Sequence, residues 1–257
     1  MTAALPLAGR VALVTGVSRA QGIGAAIVRR LLDDGASVFA SGWPAHDAAM
    51  PWGADPVGMQ HLDAPRARFA YEAADLADPE IPHALVAAAL RRFGAIDVVV
   101  ANHARSASQS LAELTAVELD RCWAVNARAS ALLAKSLAAL RPPGPGGRLV
   151  LFTSGQSLAP MPDELPYAIS KGAIQAMTAS LAEALAERGI TVNCVNPGPV
   201  DTGWARGALH QEIAQRFPAK RWGRPEDTAR LVAWLASDEA EWITGQVIHS
   251  EGGFKRS

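Results

Sequence analysis

Cysteine is scarce in this chain: Cys122 and Cys194 are the only two among 257 residues, and their spacing matches no metal-binding motif. Two isolated thiols predict neither a disulfide framework nor a zinc site, and they suit a reducing compartment. An excess of either charge is also absent, because 24 lysines and arginines stand against 25 aspartates and glutamates. The composition therefore lacks the basic surplus typical of nucleic-acid binding, and we expect no nucleic-acid partner.

Long apolar runs are missing as well. The longest aliphatic stretch within a predicted strand is 98–100, which is far too short to cross a membrane. Residues 1–10 show neither the basic leader nor the apolar core of a signal peptide. We therefore expect a cytoplasmic protein that has no membrane partner. Its 49% hydrophobic and 19% charged residues are usual values for a globular protein that buries a core.

What the chain does contain is an alternation of short apolar segments with longer amphipathic ones. The predicted strands are 11–15, 37–41, 69–74, 96–101, 148–153, 191–195 and 246–249, and the predicted helices are 23–32, 81–93, 115–140, 167–188 and 225–236. Strands that alternate with helices are typical of a parallel sheet with right-handed crossovers. We therefore predict an α/β fold, a Rossmann-type doubly wound parallel sheet of about seven strands with helices on both faces. It should form a single domain over residues 1–257.

A glycine-bearing loop follows the first predicted strand and leads directly into the first helix. It reads TGVSRAQGIG over residues 15–24. Glycines let a turn approach a pyrophosphate closely, and the N-terminus of a helix favours negative charge. The position between strand and helix favours dinucleotide binding over a plain turn. The residues predicted to bind the cofactor here are Gly16, Ser18, Arg19, Gly22, Ile23 and Gly24.

The end of the second strand bears on which nicotinamide cofactor the protein uses. An NAD-preferring site usually places an acidic residue there, where it binds the 2′-hydroxyl of the adenosine ribose. Residues 39–43 read FASGW and contain no carboxylate, whereas Arg19 can pair with a 2′-phosphate. We therefore predict NADP(H) as the preferred cofactor and NAD(H) as the alternative. The other interpretation of Arg19 is a solvated loop arginine.

Further cofactor contacts are predicted after the second and third strands. Ser41 ends the second strand, and Asp75 and Leu76 follow the third. The Asp75 carboxylate suits either the adenine amino group or the cap of the next helix. The proline-rich segment 43–66 between these strands is either an ordered loop near the adenosine site or an oligomer contact.

Tyr167 and Lys171 form the clearest chemical signal, because they stand four residues apart near the start of a predicted helix. That spacing puts both side chains on one helical face, with Cβ atoms about 6 Å apart. A phenol has a pKa of about 10, and a neighbouring ammonium should lower that pKa toward useful acid–base behaviour. Ser154 follows the fifth strand, where a hydroxyl can bond a substrate oxygen. Asn126 lies inside a predicted helix, which indicates either an inward hydrogen bond or an exposed amide.

Together these residues resemble the short-chain dehydrogenase/reductase family over essentially the whole chain, and most closely its 3-oxoacyl-(acyl-carrier-protein) reductase-type members. The matching pieces are the loop 15–24, Asp75, Asn126, Ser154, Tyr167, Lys171 and the segment 196–202, which reads NPGPVDT. The resemblance implies that Asn126 serves a water relay and Ser154 orients the substrate. It implies that Tyr167 transfers the proton and Lys171 binds the nicotinamide ribose. Further cofactor contacts are implied at Asn102, Tyr167, Lys171, Pro197, Gly198, Val200 and Thr202.

The activity implied by the resemblance is hydride transfer between the nicotinamide and a ketone or secondary alcohol, with a 3-oxoacyl thioester or a related small carbonyl compound as substrate. A homo-oligomer, either tetramer or dimer, and a substrate lid over about residues 198–222 are implied as well. Two other classes stay open on the residues alone. One is a non-catalytic NADP(H)-binding regulatory or scaffold protein, and the other is a nicotinamide-dependent epimerase or dehydratase.

The chain departs from the family pattern at two places. Its glycine loop is longer by two residues, with Ala20 and Gln21 as the extra pair. After the fourth strand the usual Asn-Asn-Ala-Gly is replaced by Ala-Asn-His-Ala over residues 101–104. His103 in that segment either faces the cofactor or substrate or, as we expect, is a buried structural histidine.

Overall fold

The computed structural model describes residues 5–56, 58–59 and 62–256. Over these residues, seven strands form one sheet with the order β3-β2-β1-β4-β5-β6-β7. The strands are β1 Val11–Thr15, β2 Ser37–Gly42, β3 Phe69–Ala73, β4 Val98–Ala101, β5 Gly147–Phe152, β6 Ile190–Asn196 and β7 Val247–His249. All neighbouring strands run parallel. The sheet grows outward from β1 in both directions, which confirms the predicted doubly wound α/β fold.

Helices connect the strands and cover both faces of the sheet. They are α1 Ile23–Asp33, α2 Pro44–Ala48, α3 Ile81–Phe93, α4 Ala116–Cys122, α5 Ala129–Leu140, α6 Leu165–Ala186, α7 Gly207–Gln215 and α8 Pro225–Ala236. A π-helical segment, Trp123–Arg128, joins α4 to α5 without a break. Among the helices of the described residues, none is both long and apolar enough to cross a membrane.

The core is split by the sheet into two apolar clusters. On one face Val14 and its neighbours pack with Ile27 of α1 and Val232 of α8. On the other face Leu13 packs in a cluster that includes Leu133 of α5. All five residues of β1 are buried, because both faces of a parallel sheet are covered. This explains why the strands read as continuous apolar runs and not as alternating ones.

Three elements differ from the sequence-based expectation. The short helix α2, which begins at Pro44, and the lid-region helix α7 were not expected as helices. The predicted helix 115–140 is interrupted by the π-helical segment at Trp123–Arg128. Such wider turns are rare and are often found at functional sites. The remaining elements match their predicted ranges to within two residues at each end, the usual uncertainty of helix and strand boundaries.

Candidate active site

The carboxyl ends of the central strands open onto one cavity of about 450 Å³, a size typical of a small-molecule site. Eleven of the residues predicted to bind the cofactor line it: Gly16, Ser18, Arg19, Gly22, Ile23, Gly24, Ser41, Asp75, Leu76, Asn102 and Thr202. The other five, Tyr167, Lys171, Pro197, Gly198 and Val200, lie outside its lining. The structure therefore gathers residues from the end of β2 and from four separate loops at the edge where a doubly wound sheet binds ligands.

The glycine loop is held close to the backbone of the segment after β4. Gly16 has a φ of +71°, and a Cβ there would lie 2.7 Å from the backbone of His103. A Cβ at Gly24 would lie 2.4 Å from the carbonyl oxygen of Gly16. Asn102 donates through Nδ2 to the carbonyl oxygens of Thr15 at 3.2 Å and Gly16 at 3.0 Å. The glycines are thus required by close packing, and Asn102 ties the loop down although its neighbours depart from the family pattern.

The extra pair in the glycine loop reaches two distant segments. The backbone N–H of Ala20 donates to Oδ2 of Asp55 at 2.9 Å. Nε2 of Gln21 donates to the carbonyl oxygen of Thr202 at 3.1 Å. The longer loop therefore joins the segment after β2 to the segment after β6. Five residues near the start of the 43–66 segment line the cavity: Trp43, Ala45, His46, Asp47 and Trp52.

Arg19 is not a solvated loop arginine, because only 17% of its side chain is exposed. Its Nη1 donates to the carbonyl oxygen of Thr202 at 3.1 Å, and its guanidinium lies 5.3 Å from the ring centre of Trp52. Its Nε lies 3.6 Å from Oδ1 of Asp47. Burial lowers the pKa of Arg19, and the charges of Asp47 and Asp55 oppose that shift. Arg19 thus lies inside the predicted cofactor site in a set of specific contacts.

Asp47 is a site residue that the sequence did not reveal. Residues 39–43 do lack a carboxylate, but the turn of α2 brings Asp47 into the cavity lining beside Arg19. The Asp47 side chain is buried and accepts a hydrogen bond from Nε1 of Trp52 at 2.8 Å. Pro44 is the only local signal for this helix, since proline favours the first helical turn.

Asn126 is fully buried in the π-helical segment, which excludes the exposed-amide interpretation. Its Oδ1 accepts from the backbone N–H of Arg105 at 2.7 Å, and its Nδ2 donates to the carbonyl oxygen of Arg105 at 2.9 Å. Nδ2 also donates to Oγ of Ser170 at 2.8 Å. The amide therefore connects the segment after β4 to α6 through Ser170, the neighbour of Lys171.

Lys171 is almost completely buried, and its Nζ donates to the carbonyl oxygen of Phe152 at 2.9 Å. The ammonium lies 5.7 Å from the ring centre of Tyr167, so the two side chains share a helical face as predicted. Burial lowers the pKa of Lys171 to about 8. Burial also raises the pKa of Tyr167 to about 12, against an opposing hydrogen bond with Ser154. The expected lowering of the tyrosine pKa is therefore wrong, because desolvation of the phenolate outweighs the effects that favour it.

His103 is buried in the cavity wall, 2.7 Å through Nδ1 from Oγ1 of Thr15. Burial, helped by the nearby charge of Lys171, lowers its pKa to about 3, so the ring is neutral at ordinary pH. His103 is thus buried as expected, but it lines the cavity and its Nε2 has no hydrogen-bond partner among the described residues, so a role toward the cofactor or substrate stays open. Among the described residues, no group of three or more His, Cys, Asp or Glu side chains is arranged to hold a metal ion.

The predicted lid region carries its own small apolar cluster. Ala205, Ile213, Phe217 and Trp222 form this cluster. Trp204, at the start of the region, is 48% exposed, which excludes core packing as its role. Its ring meets Trp222 edge-on at 5.3 Å, and its Nε1 donates to the carbonyl oxygen of Val200 at 3.0 Å. Trp204 therefore presents an apolar surface next to the segment that follows β6.

The C-terminal strap, residues 251–256, is a second feature that sequence reasoning missed. Arg256 donates through Nη1 to Oε2 of Glu251 at 2.9 Å, and Nδ2 of Asn196 donates to Oε1 of Glu251 at 2.8 Å. A Cβ at Gly155 would lie only 2.6 Å from Nη2 of Arg256. The strap therefore packs against the residue that follows Ser154 and against the end of β6. No local pattern signals such a contact.

Comparisons with known proteins cover nearly the whole chain. A family model described as enoyl-(acyl carrier protein) reductase matches residues 16–255. An uncharacterised oxidoreductase of Bacillus subtilis is 41% identical over 249 residues, which are 96% of this chain and 97% of that protein. A Serratia marcescens short-chain dehydrogenase/reductase mutant matches with a TM-score of 0.81 at 33% identity, covering 97% of this chain and 99% of that one. The blue fluorescent protein from a metagenomic library, solved in complex with NADPH, matches with a TM-score of 0.83 at 34% identity, covering 97% and 99%.

Proposed function

Because this chain belongs to the short-chain dehydrogenase/reductase family of oxidoreductases, we propose that it is an NADP(H)-dependent carbonyl reductase or alcohol dehydrogenase. The observation that carries the proposal is the arrangement of Tyr167 and Lys171 on α6, with the buried ammonium 5.7 Å from the phenol ring. Burying a lysine costs free energy, since its charged form loses hydration. A protein that only bound a nucleotide would have no chemical need for this pair.

The residues present fit a bound NADP(H). The glycine loop brings backbone N–H groups and the N-terminus of α1 to the cavity, where a pyrophosphate would lie. Oγ of Ser41 is buried in the same wall without a hydrogen-bond partner among the described residues, so a ligand hydroxyl would satisfy it. Arg19 would bind the 2′-phosphate, and Asp75 and Leu76 would contact the adenine. NADPH is bound in the 34% identical metagenomic protein, which supports NADP(H) over NAD(H).

The nicotinamide half would lie toward Tyr167, Lys171 and the segment after β6. Its contacts would come from Pro197, Gly198, Val200 and Thr202. Gly198 has a φ of +64°, and a Cβ there would lie 2.9 Å from the side chain of Glu251, so this turn requires glycine. The cofactor, when bound, supplies hydride to a ketone or accepts it from a secondary alcohol.

The proton is the part of the reaction that this chain's own residues handle. Ser154 hydrogen-bonds the substrate oxygen, and Tyr167 gives that oxygen a proton when a ketone is reduced. The raised pKa of Tyr167 keeps its phenol protonated at neutral pH, the form that donates. The charge of Lys171 then stabilises the phenolate that is left. Asn126 fixes α6 through Ser170, so that Tyr167 and Lys171 stay in register with Ser154.

The finer parts of the proposal concern substrate and assembly. A 3-oxoacyl thioester or a related ketone would enter beneath the lid 198–222, with Trp204 as an apolar wall. The large apolar side chains Val117, Trp123 and Ile169 are each more than half exposed on α4, the π-helical segment and α6. Exposed apolar surface of this kind supports a homo-oligomer formed through these helices. The chain would act as a single domain over residues 1–257.

The test is oxidation of NADPH and NADH, followed at the cofactor absorbance, across a panel of ketones that includes acetoacetyl thioesters. We expect turnover with NADPH, and Tyr167→Phe should lower it by at least about 100-fold, the usual contribution of a general acid. Because phenylalanine keeps the ring, NADPH binding should change by only a few-fold. Full turnover by Tyr167→Phe would overturn the mechanism. Tight NADPH binding with no turnover across the panel would favour the non-catalytic alternative.

A further inference from the structure

We propose that Asp47 sets the cofactor selectivity of this protein by competing with the 2′-phosphate of NADP(H) for the guanidinium of Arg19. The inference rests on the proposed function, because it concerns the same nucleotide site. Arg19 and Asp47 line the same cavity, and their side chains are 3.6 Å apart between Nε and Oδ1. Arg19, which would attract the 2′-phosphate, is therefore already paired with Asp47, which would repel it.

Three side chains make up this arrangement, which we call the Arg19 clasp: Arg19, Asp47 and Trp52. The indole N–H of Trp52 donates to Oδ1 of Asp47 at 2.8 Å and so fixes the carboxylate. The same indole lies 5.3 Å from the guanidinium of Arg19, within the range of a cation–π contact. Asp47 is only 6% exposed, so its charge is screened by water far less than that of a surface carboxylate.

The clasp is anchored by the extra pair of the glycine loop, Ala20 and Gln21, which sets this chain apart from the family pattern. The backbone N–H of Ala20 donates to the carboxylate of Asp55. The side chain of Gln21 donates to the carbonyl oxygen of Thr202. Arg19 bonds the same carbonyl of Thr202 through Nη1. The segment after β2 is thereby held against the glycine loop on both sides of Arg19. Asp47 is consequently part of the built site and not a residue of a loose loop.

The two nicotinamide cofactors would meet this clasp differently. A 2′-phosphate brings a charge of about −1.5 to −2, so it gains from Arg19 and loses from Asp47. A 2′-hydroxyl brings no charge, and the pair between Arg19 and Asp47 remains intact beside it. Asp47 therefore weakens NADP(H) binding without weakening NAD(H) binding. The protein should bind NADP(H) more tightly than NAD(H) by a smaller factor than an uncompensated arginine would give.

The test is a calorimetric titration of 2′,5′-ADP and of 5′-ADP into the full chain and into Asp47→Asn. Asparagine keeps an oxygen that can accept from Trp52, so the variant removes the charge and keeps the shape. We expect 2′,5′-ADP to bind at least about fivefold more tightly, equivalent to about 1 kcal/mol, with 5′-ADP changed by less than about twofold. Asp78→Asn is the matched control, since Asp78 is an exposed aspartate outside the cavity lining. It should change neither affinity.

Two further variants keep the outcome unambiguous. Arg19→Ala should abolish the preference for 2′,5′-ADP, and in that background Asp47→Asn should raise the ratio of the two affinities by less than it does in the unaltered chain, because only direct repulsion of the phosphate is then relieved. Unchanged or weaker 2′,5′-ADP binding by Asp47→Asn, with 5′-ADP bound normally, would overturn the role of Asp47 alone. Failure of the unaltered chain to bind either nucleotide would overturn the proposed function together with the inference.

Discussion

The proposed catalytic end and the proposed adenosine end of the site hold their cations in different ways. Lys171 is bonded to a backbone carbonyl, that of Phe152 at the end of a central strand. Arg19 bonds the carbonyl of Thr202 in a loop and is also paired with two side chains, the carboxylate of Asp47 and the ring of Trp52, on a segment between strands. A backbone partner on a strand is fixed by the sheet, whereas a side-chain partner can be exchanged for a ligand. The end that holds Lys171 is therefore preorganised, whereas at the other end a ligand can replace the side-chain partner of Arg19.

This difference suits what each end has to do under the proposed function. Proton transfer requires the donor and the substrate oxygen to be held within a narrow range of distances, and a rigid sheet edge provides that. Recognition of one cofactor over another requires a difference in charge, which loop residues can supply. Asn126 resembles Lys171 in this respect, because two of the three hydrogen bonds of its side-chain amide go to backbone atoms, those of Arg105.

The largest expected effect is the loss of stability in Asn126→Ala. Removing the buried amide leaves the N–H and C=O of Arg105 and the hydroxyl of Ser170 without this partner. Unsatisfied buried groups cost about 1–3 kcal/mol each, so we expect a loss of about 2–4 kcal/mol in the free energy of unfolding. Urea denaturation monitored by fluorescence measures it.

Gln21→Ala supplies the matched comparison at the adenosine end. Gln21 is exposed, and its side chain makes one hydrogen bond to the carbonyl oxygen of Thr202. Removal of this hydrogen bond should lower the free energy of unfolding by no more than about 1 kcal/mol. Equal losses in the two variants would contradict the view that the catalytic end is the more rigid of the two.

Sequence patterns predicted the parts of the site that depend on local spacing. Tyr167 and Lys171 are four residues apart on one helix, so their shared face follows from helix geometry alone. The glycine loop was recognised because it lies between a strand and a helix, a local arrangement as well. The strands were recognised because a sheet that is buried on both faces requires continuous apolar runs.

The parts that escaped prediction depend on contacts between distant segments. Asp47 meets Arg19, and Arg256 meets Gly155, only because the fold brings separate loops to one edge of the sheet. The pKa of Tyr167 was predicted with the wrong sign because the sequence showed the neighbouring lysine but not the burial of the phenol. Asn126 was recognised as unusual, but its partner Arg105 was not.

The next prediction concerns His103, which lies between the two ends, close to Thr15 and to the charge of Lys171. Its pKa is about 3 in the folded chain and 6.5 when unperturbed, so the unfolded chain binds the extra proton between these values. The stability that His103 contributes as a neutral group should therefore fall as the pH drops below 6.5 toward 3. Each extra proton bound by the unfolded chain lowers the free energy of unfolding by about 1.4 kcal/mol per pH unit.

The measurement is the free energy of unfolding of the unaltered chain and of His103→Gln at a series of pH values between neutrality and the onset of acid unfolding. Glutamine does not titrate, so the variant should show a shallower decline. His83→Gln, an exposed histidine of α3, is the control and should leave the slope unchanged. Parallel pH profiles for the unaltered chain and His103→Gln would show that His103 does not carry this dependence.

The last prediction concerns the C-terminal strap. Arg256 packs against Gly155, next to Ser154, and is held there by Glu251, which also bonds Asn196 at the end of β6. Arg256→Gln removes the ion pair but touches neither the phenol nor the lysine, so we expect kcat to fall by about threefold to tenfold through displacement of Ser154. Nucleotide affinity should stay the same, because the Arg19 clasp lies at the opposite end.

Lys255→Gln is the control, since Lys255 is exposed and contributes its backbone carbonyl to Arg216. If Arg256→Gln instead weakened 2′,5′-ADP binding and left kcat unchanged, the strap would belong to the adenosine end, and the division of the site into a rigid and an exchangeable half would be wrong.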